Sequence, residues 1–146
     1  MLSRAAAFLL LPTLVLSQAT PGEWPMFNRD LAATRYSPLT QINTSNVKKL
    51  APVWSLGLEN DLGEQAQPMI YEGVMYVTNV KWTFTIDLAT GKQIWRTAVD
   101  YDPATPRVVC CGVSNKGGAI YNGKLYRVTL DAHVLALDMK TGKQLW

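Results

Sequence analysis

The chain has 146 residues, of which 48% are hydrophobic and 17% charged, and its formal net charge is +3. This composition is typical of a folded globular protein and excludes a disordered or low-complexity chain. The small excess of positive charge is scattered along the sequence, so no basic surface for binding nucleic acid is predicted.

The N-terminal residues have the pattern of a secretory signal peptide. Arg4 supplies a positive charge, and the apolar run that follows has 12 residues, 5–16, which is short for crossing a bilayer. Small residues at Ser17 and Ala19 suit cleavage after Ala19, so residues 1–19 are predicted to be removed on export. The alternative is an uncleaved membrane anchor. Export would place the cysteines in an oxidising compartment, where disulfides persist.

Residues 20–53 mix turn residues with isolated apolar residues, and we predict that they form an N-terminal segment with one short helix near its end. Thr44 or Ser45 is a suitable cap for this helix. Val47 and Leu50, three residues apart, are expected to form its one buried face.

Residues 54–146 contain an internal repeat. The stretch "YEGVMYVTNVKWTFTIDLATGKQIW" (71–95) matches "YNGKLYRVTLDAHVLALDMKTGKQLW" (121–146). The early matches, such as Tyr76 with Tyr126, have an offset of 50, and the later ones have an offset of 51. One residue has therefore been inserted between the two halves of the unit.

Each copy of the repeat divides into four short strands. In the first copy they are "AQPMIY", "GVMYVTN", "WTFTID" and a strand beginning "KQIW", and in the second copy "GGAIY", "GKLYRVTL", "HVLALD" and "KQLW". Four antiparallel strands in a unit of about 40–50 residues are typical of a β-propeller blade. We therefore predict an all-β chain with about two blades in residues 54–146. The tryptophans that end the units, Trp54, Trp95 and Trp146, are expected to pack against the following blade, and contact with a ligand is the alternative.

Cys110 and Cys111 are the chain's two cysteines, and they are neighbours. A disulfide stabilises mainly by closing a loop of the unfolded chain, and this pair would close almost none. Consecutive Cα atoms lie about 3.8 Å apart, below the usual disulfide range that begins near 4.4 Å. A disulfide between them is therefore a poor structural cross-link, and two buried free thiols are an alternative to it. With one histidine and no third thiol in the chain, a zinc site is disfavoured.

Three features together closely resemble the N-terminal part of the pyrroloquinoline-quinone (PQQ) dependent alcohol dehydrogenases of the methanol/ethanol type. They are "NRDLAATRYSPLTQINTSNVKKLAPVW" (28–54), the two copies ending "DxxTGKxxW", and "CC" followed by "SNKGGAIY" (114–121). The resemblance implies an eight-bladed propeller with the quinone near its axis. Because about two blades are present, we expect the chain to be a fragment of a longer reading frame and to be inactive by itself.

The resemblance also implies roles for individual residues. Cys110 and Cys111 would form a small disulfide ring lying flat against PQQ, since a polarizable sulfur face suits a planar quinone. Lys116 stands where the family usually has an arginine that pairs with PQQ carboxylates, so charge is kept and the bidentate fork is lost. Gln65 stands where the family has a glutamate near PQQ, and Glu64 would face the opposite side. The alternatives are a solvated lysine and a neutral loop residue.

The activity implied is oxidation of an alcohol to an aldehyde or ketone in the periplasm, with a calcium or lanthanide ion and a cytochrome c electron acceptor; a homodimer is left open. We expect the metal ligands and the catalytic base beyond Trp146 and assign neither in this chain. Asn115 is predicted to stabilise the loop after the cysteines, and His133 to be structural. The alternatives are a non-enzymatic PQQ-like propeller scaffold of the outer-membrane assembly type and an inactive truncated product.

Overall fold

The computed structural model describes residues 20–59, 64–110 and 112–146, so the predicted signal peptide lies outside the described residues. A 3₁₀ helix spans Val47–Lys49, and a short α-helix, α1, spans Thr105–Val108. The strands are β1 Met69–Tyr71, β2 Val74–Thr78, β3 Trp82–Asp87, β4 Gln93–Ala98, β5 Gly118–Tyr121, β6 Lys124–Val128 and β7 Val134–Asp138. Within the described ranges, no helix has the length and apolar character needed to cross a membrane.

The strands form two antiparallel sheets that correspond to the two copies of the repeat. The first sheet has the order β1-β2-β3-β4, and the second has the order β5-β6-β7. The predicted fourth strand of the second copy is represented by a single bridge between Leu137 and Gln144 and by backbone bonds from Ala136 to residues 145 and 146. The prediction of an all-β fold with propeller blades is confirmed.

The first sheet is covered on both faces. Along β2, Tyr76 faces the second sheet and Val77 faces the opposite side, as expected for side chains that alternate along a strand. The core between the sheets contains Met69, Tyr76, Leu125 and Leu137. The core on the other face contains Val77, Phe84 and Ile86, packed against Trp54, Leu56 and Leu58. The sheets therefore pack as neighbouring blades.

Tryptophans join successive units in the same way twice. A Cβ atom added to Gly91 would lie 2.5 Å from the Trp54 ring, and one added to Gly142 would lie 2.5 Å from the Trp95 ring. Each indole N–H donates to the backbone carbonyl three residues before that glycine, at 3.0 Å in both cases. The prediction that these rings pack against the following blade is confirmed for Trp54 and Trp95.

The N-terminal segment contacts the first strand of both sheets. Trp24 forms a bridge with Ile70 in β1, and Met26 forms one with Ala119 in β5. The N–H of Ile120 also donates to the Pro25 carbonyl at 2.8 Å. This segment thus holds β1 and β5 beside each other, so the residues that precede the two strands also lie close together.

The predicted helix near residue 47 exists, but two details of the prediction are wrong. Asn46 is its N-cap, and no side chain caps it. The Asn46 side chain instead bonds the N–H of Asn43 and the carbonyl of Gln41, in the turn before the helix. Val47 and Leu50 are 45% and 61% exposed, because three residues of 3₁₀ helix present no continuous apolar face.

Candidate functional site

The connection from β4 to β5 carries three of the four predicted cofactor-binding residues. It runs over residues 99–117 and contains α1, which the sequence analysis did not predict. Pro106 lies in the first turn of α1, where a missing backbone N–H costs nothing. The last residues of this connection lie at the end of the two sheets where β2 and β6 finish, because Asn115 contacts Thr78 and Val128 there.

Cys110 is disulfide-bonded and its side chain is exposed. Among the described residues there is no free cysteine, so the alternative of a free thiol at Cys110 is wrong. Cys111, the chain's other cysteine, lies outside the described residues. The ring formed by the two neighbours therefore stays a prediction.

Lys116 and Gln65 meet, although they are 51 residues apart in sequence. The ammonium group Nζ of Lys116 donates to Oε1 of Gln65, and both side chains are exposed. With Oε1 occupied, Gln65 keeps two amide N–H donors, and the ammonium group has donors only. The pair therefore presents hydrogen-bond donors and one positive charge, a combination that suits a carboxylate.

Two glycines after Lys116 allow this close approach. Gly117 has a φ of +112°, which favours glycine, and it lies against the backbone of Gln67. At Gly118 a Cβ atom would lie 2.5 Å from the carbonyl oxygen of Tyr126. The "NKGG" stretch thus brings Lys116 to the residues that precede β1.

Asn115 anchors the loop that carries Lys116. It is 7% exposed, and its Oδ1 accepts from the Thr78 hydroxyl at 2.6 Å and from the Gly117 N–H at 2.9 Å. Its Nδ2 donates to the Val128 carbonyl at 2.9 Å. The prediction that Asn115 stabilises this loop is confirmed.

Arg127 is a structural residue that the sequence analysis missed. It is 2% exposed and donates to the carbonyls of Asn79 and Trp82 at 2.7 and 2.8 Å and to the Thr83 hydroxyl at 2.9 Å. Burial lowers the pKa of Arg127 to about 10, so the group remains charged at neutral pH. The signal in the sequence was a charged residue two positions after Leu125, on the side of β6 that faces the first sheet.

His133 takes part in the turn before β7. Its Nδ1 lies 3.0 Å from the carboxylate of Asp131, and its N–H donates to the Thr129 hydroxyl at 3.0 Å. The same hydroxyl donates to Asp131, and this bond and the histidine lower the pKa of the Asp131 carboxyl group. These contacts agree with a structural role for His133. The described residues contain no group of three or more His, Cys, Asp or Glu side chains that could hold a metal ion.

Comparison with known proteins places this chain in a family. Residues 24–146 match the family model described as PQQ, the glucose/ethanol/alcohol dehydrogenase β-propeller domain. The chain is 43% identical over 149 residues to 1-butanol dehydrogenase (cytochrome c) of Thauera butanivorans, covering 96% of this chain and 21% of that protein.

Two solved structures share the fold. Quinohemoprotein alcohol dehydrogenase from Comamonas testosteroni matches with a TM-score of 0.82 and 41% identity, covering 90% of this chain and 19% of that one. A europium-containing methanol dehydrogenase matches with a TM-score of 0.82 and 36% identity, covering 88% and 23%. The chain thus spans about a fifth of the length of these relatives. It belongs to the PQQ family of glucose/ethanol/alcohol dehydrogenase β-propeller domains.

Proposed function

We propose that the protein containing this chain is a PQQ-dependent alcohol dehydrogenase, and that this chain supplies one side of its cofactor site. The contact between Lys116 and Gln65, formed across the two blades beside the loop of Cys110, carries the proposal. Its donors and single positive charge match a ligand with carboxylate groups. The relatives described above, all named as dehydrogenases, support an enzyme over a non-enzymatic scaffold.

The four residues share three tasks in this proposal. A disulfide between Cys110 and Cys111 would lie flat against the cofactor ring. Lys116 would pair with a PQQ carboxylate, and the Gln65 amide would donate to a polar edge of the ring system. When bound, PQQ supplies a quinone that accepts the two electrons removed from the alcohol.

The remaining parts of the proposal concern the whole protein. The signal-peptide pattern of residues 1–19 supports export to the periplasm. A relative named for cytochrome c supports a cytochrome as the electron acceptor. A relative that contains europium supports a bound metal ion, which we propose to be calcium or a lanthanide. Parts of the protein outside this chain would provide the metal ligands and the base that takes the hydroxyl proton.

The direct test is an assay of the protein encoded by the longest reading frame that contains this chain. We expect alcohol-dependent reduction of a dye that requires both added PQQ and a calcium or lanthanide salt. Dye reduction that is independent of PQQ would contradict the assigned cofactor. Absence of PQQ binding by the purified, folded protein would favour the scaffold alternative instead.

Lys116→Ala is expected to weaken PQQ binding by about tenfold, the lower end of the range for one charge-assisted hydrogen bond, because the group is exposed. The dissociation constant can be measured by titrating PQQ into apoprotein and following tryptophan fluorescence. Lys140→Ala is the matched control, because Lys140 is also exposed and lies in the turn after β7, at the opposite end of the second sheet from Asn115. Equal affinities for the two variants would remove the assignment of Lys116.

A further inference from the structure

We propose that Thr78 is a positioning residue for Lys116, acting through Asn115. The inference rests on the proposed function, because it concerns how the ammonium group is held for an anionic ligand. Thr78 belongs to the first blade, whereas Lys116 belongs to the loop that starts the second. The contact between the blades would therefore set the location of a cofactor-binding charge.

Asn115 lies between equivalent ends of the two sheets. Thr78 is the last residue of β2 and Val128 is the last residue of β6, and they correspond in the repeat at an offset of 50. The Asn115 side chain bonds the Thr78 hydroxyl and the Val128 carbonyl at 2.6 and 2.9 Å. Thr78 is fully buried and Asn115 is 7% exposed, so water does not compete for these bonds.

The same side chain fixes the backbone on both sides of Lys116. Asn115 Oδ1 also accepts the N–H of Gly117, which closes a turn with Lys116 in the middle. Rotation of the Lys116 backbone would break this bond. Without the Thr78 hydroxyl, the amide of Asn115 loses a partner, and the turn loses the buried one of its contacts with the first blade.

Another threonine between the blades provides a control. The Thr97 hydroxyl donates to the carbonyl of Gly142 at 2.6 Å, again from the first sheet to the second. Thr97 lies in β4, and Gly142 lies in the turn after β7, away from Asn115. Replacing either threonine by valine removes one hydroxyl contact between blades and keeps nearly the same volume. Only the loss of the Thr78 hydroxyl should change how Lys116 is positioned.

The experiment compares Thr78→Val, Thr78→Ser, Thr97→Val and Lys116→Ala in the protein from the longest reading frame, at one ionic strength. PQQ affinity is measured by fluorescence titration and stability by thermal unfolding of the apoprotein. We expect Thr78→Val to weaken PQQ binding by about three- to tenfold, the range of one hydrogen bond. Thr78→Ser should keep the affinity because it keeps the hydroxyl. Thr97→Val should lower the melting temperature and keep the affinity.

The outcomes separate the inference from the proposed function. If Lys116→Ala weakens binding and Thr78→Val does not, the positioning role is wrong and the cofactor role of Lys116 stands. If Thr78→Ser and Thr97→Val weaken binding as much as Thr78→Val does, the effect is general loosening and the positioning role is again wrong. If Lys116→Ala has no effect, the cofactor role fails and the inference with it. Should Thr78→Val not fold, Thr78→Ala against Thr78→Ser tests the same hydroxyl.

Discussion

Arg127→Met is expected to lower the free energy of unfolding by about 3 kcal/mol, through two opposing effects. Burial opposes the charge and lowers the pKa of Arg127 to about 10, and methionine removes this cost, which is on the order of a few kcal/mol. The three hydrogen bonds of the guanidinium group are each worth about 1.5–3 kcal/mol, and methionine loses them all. The lost bonds outweigh the relieved burial, and the carbonyl of Asn79 is left in a buried site.

Arg96→Met is the control for this prediction. The Arg96 guanidinium lies 4.6 Å from the centre of the Trp82 ring and pairs with Glu59, but its side chain is 37% exposed. Contacts of this kind contribute about 1 kcal/mol or less. Urea unfolding followed by tryptophan fluorescence should therefore show a much larger loss for Arg127→Met. Similar losses for the two variants would mean that the buried bonds contribute no more than a surface contact.

The strands were predictable because their signals are local. The predicted strand "WTFTID" is β3, Trp82–Asp87, residue for residue. Its end is marked by Asp87, whose carboxylate accepts the N–H and hydroxyl of Thr90 at 2.8 and 2.7 Å. Those bonds lower the pKa of the Asp87 carboxyl group. The residues that form this turn are adjacent in the sequence, so the sequence alone indicates where the strand ends. The second copy has the same pattern.

The site was predictable only in part, because its contacts join distant residues. Resemblance to a family identified Lys116 and Gln65, but their contact depends on how β1 and β5 lie together. The partners of Arg127 lie 44–48 residues away, and no local pattern indicates them. The cap of the 3₁₀ helix was mispredicted for a different, local reason: Ser45 and Asn46 both bond Asn43 in the preceding turn instead of capping the helix.

Gly142→Ala is expected to lower the free energy of unfolding by about 2–5 kcal/mol, from two separate causes. Gly142 has a φ of +71°, and a Cβ atom in this left-handed conformation costs about 1–2 kcal/mol. The same atom would lie 2.5 Å from the Trp95 ring and 2.7 Å from the Thr97 hydroxyl. The ring must then move away from the second blade, and forced movement of this kind costs about 1–3 kcal/mol.

Gly123→Ala separates the two causes. Gly123 has a φ of +70°, and a Cβ atom there meets nothing within 4 Å, so this variant carries the backbone cost alone. The difference between the two variants in urea unfolding measures the packing of Trp95 on the next blade. The first copy offers the same comparison, since Gly91 lies under the Trp54 ring and Gly73 is open. Equal losses for Gly142→Ala and Gly123→Ala would mean that the indole does not hold the blades together. A larger loss of unfolding free energy at Gly142 and Gly91 than at Gly123 and Gly73 would show that the repeated tryptophan joins each blade to the next.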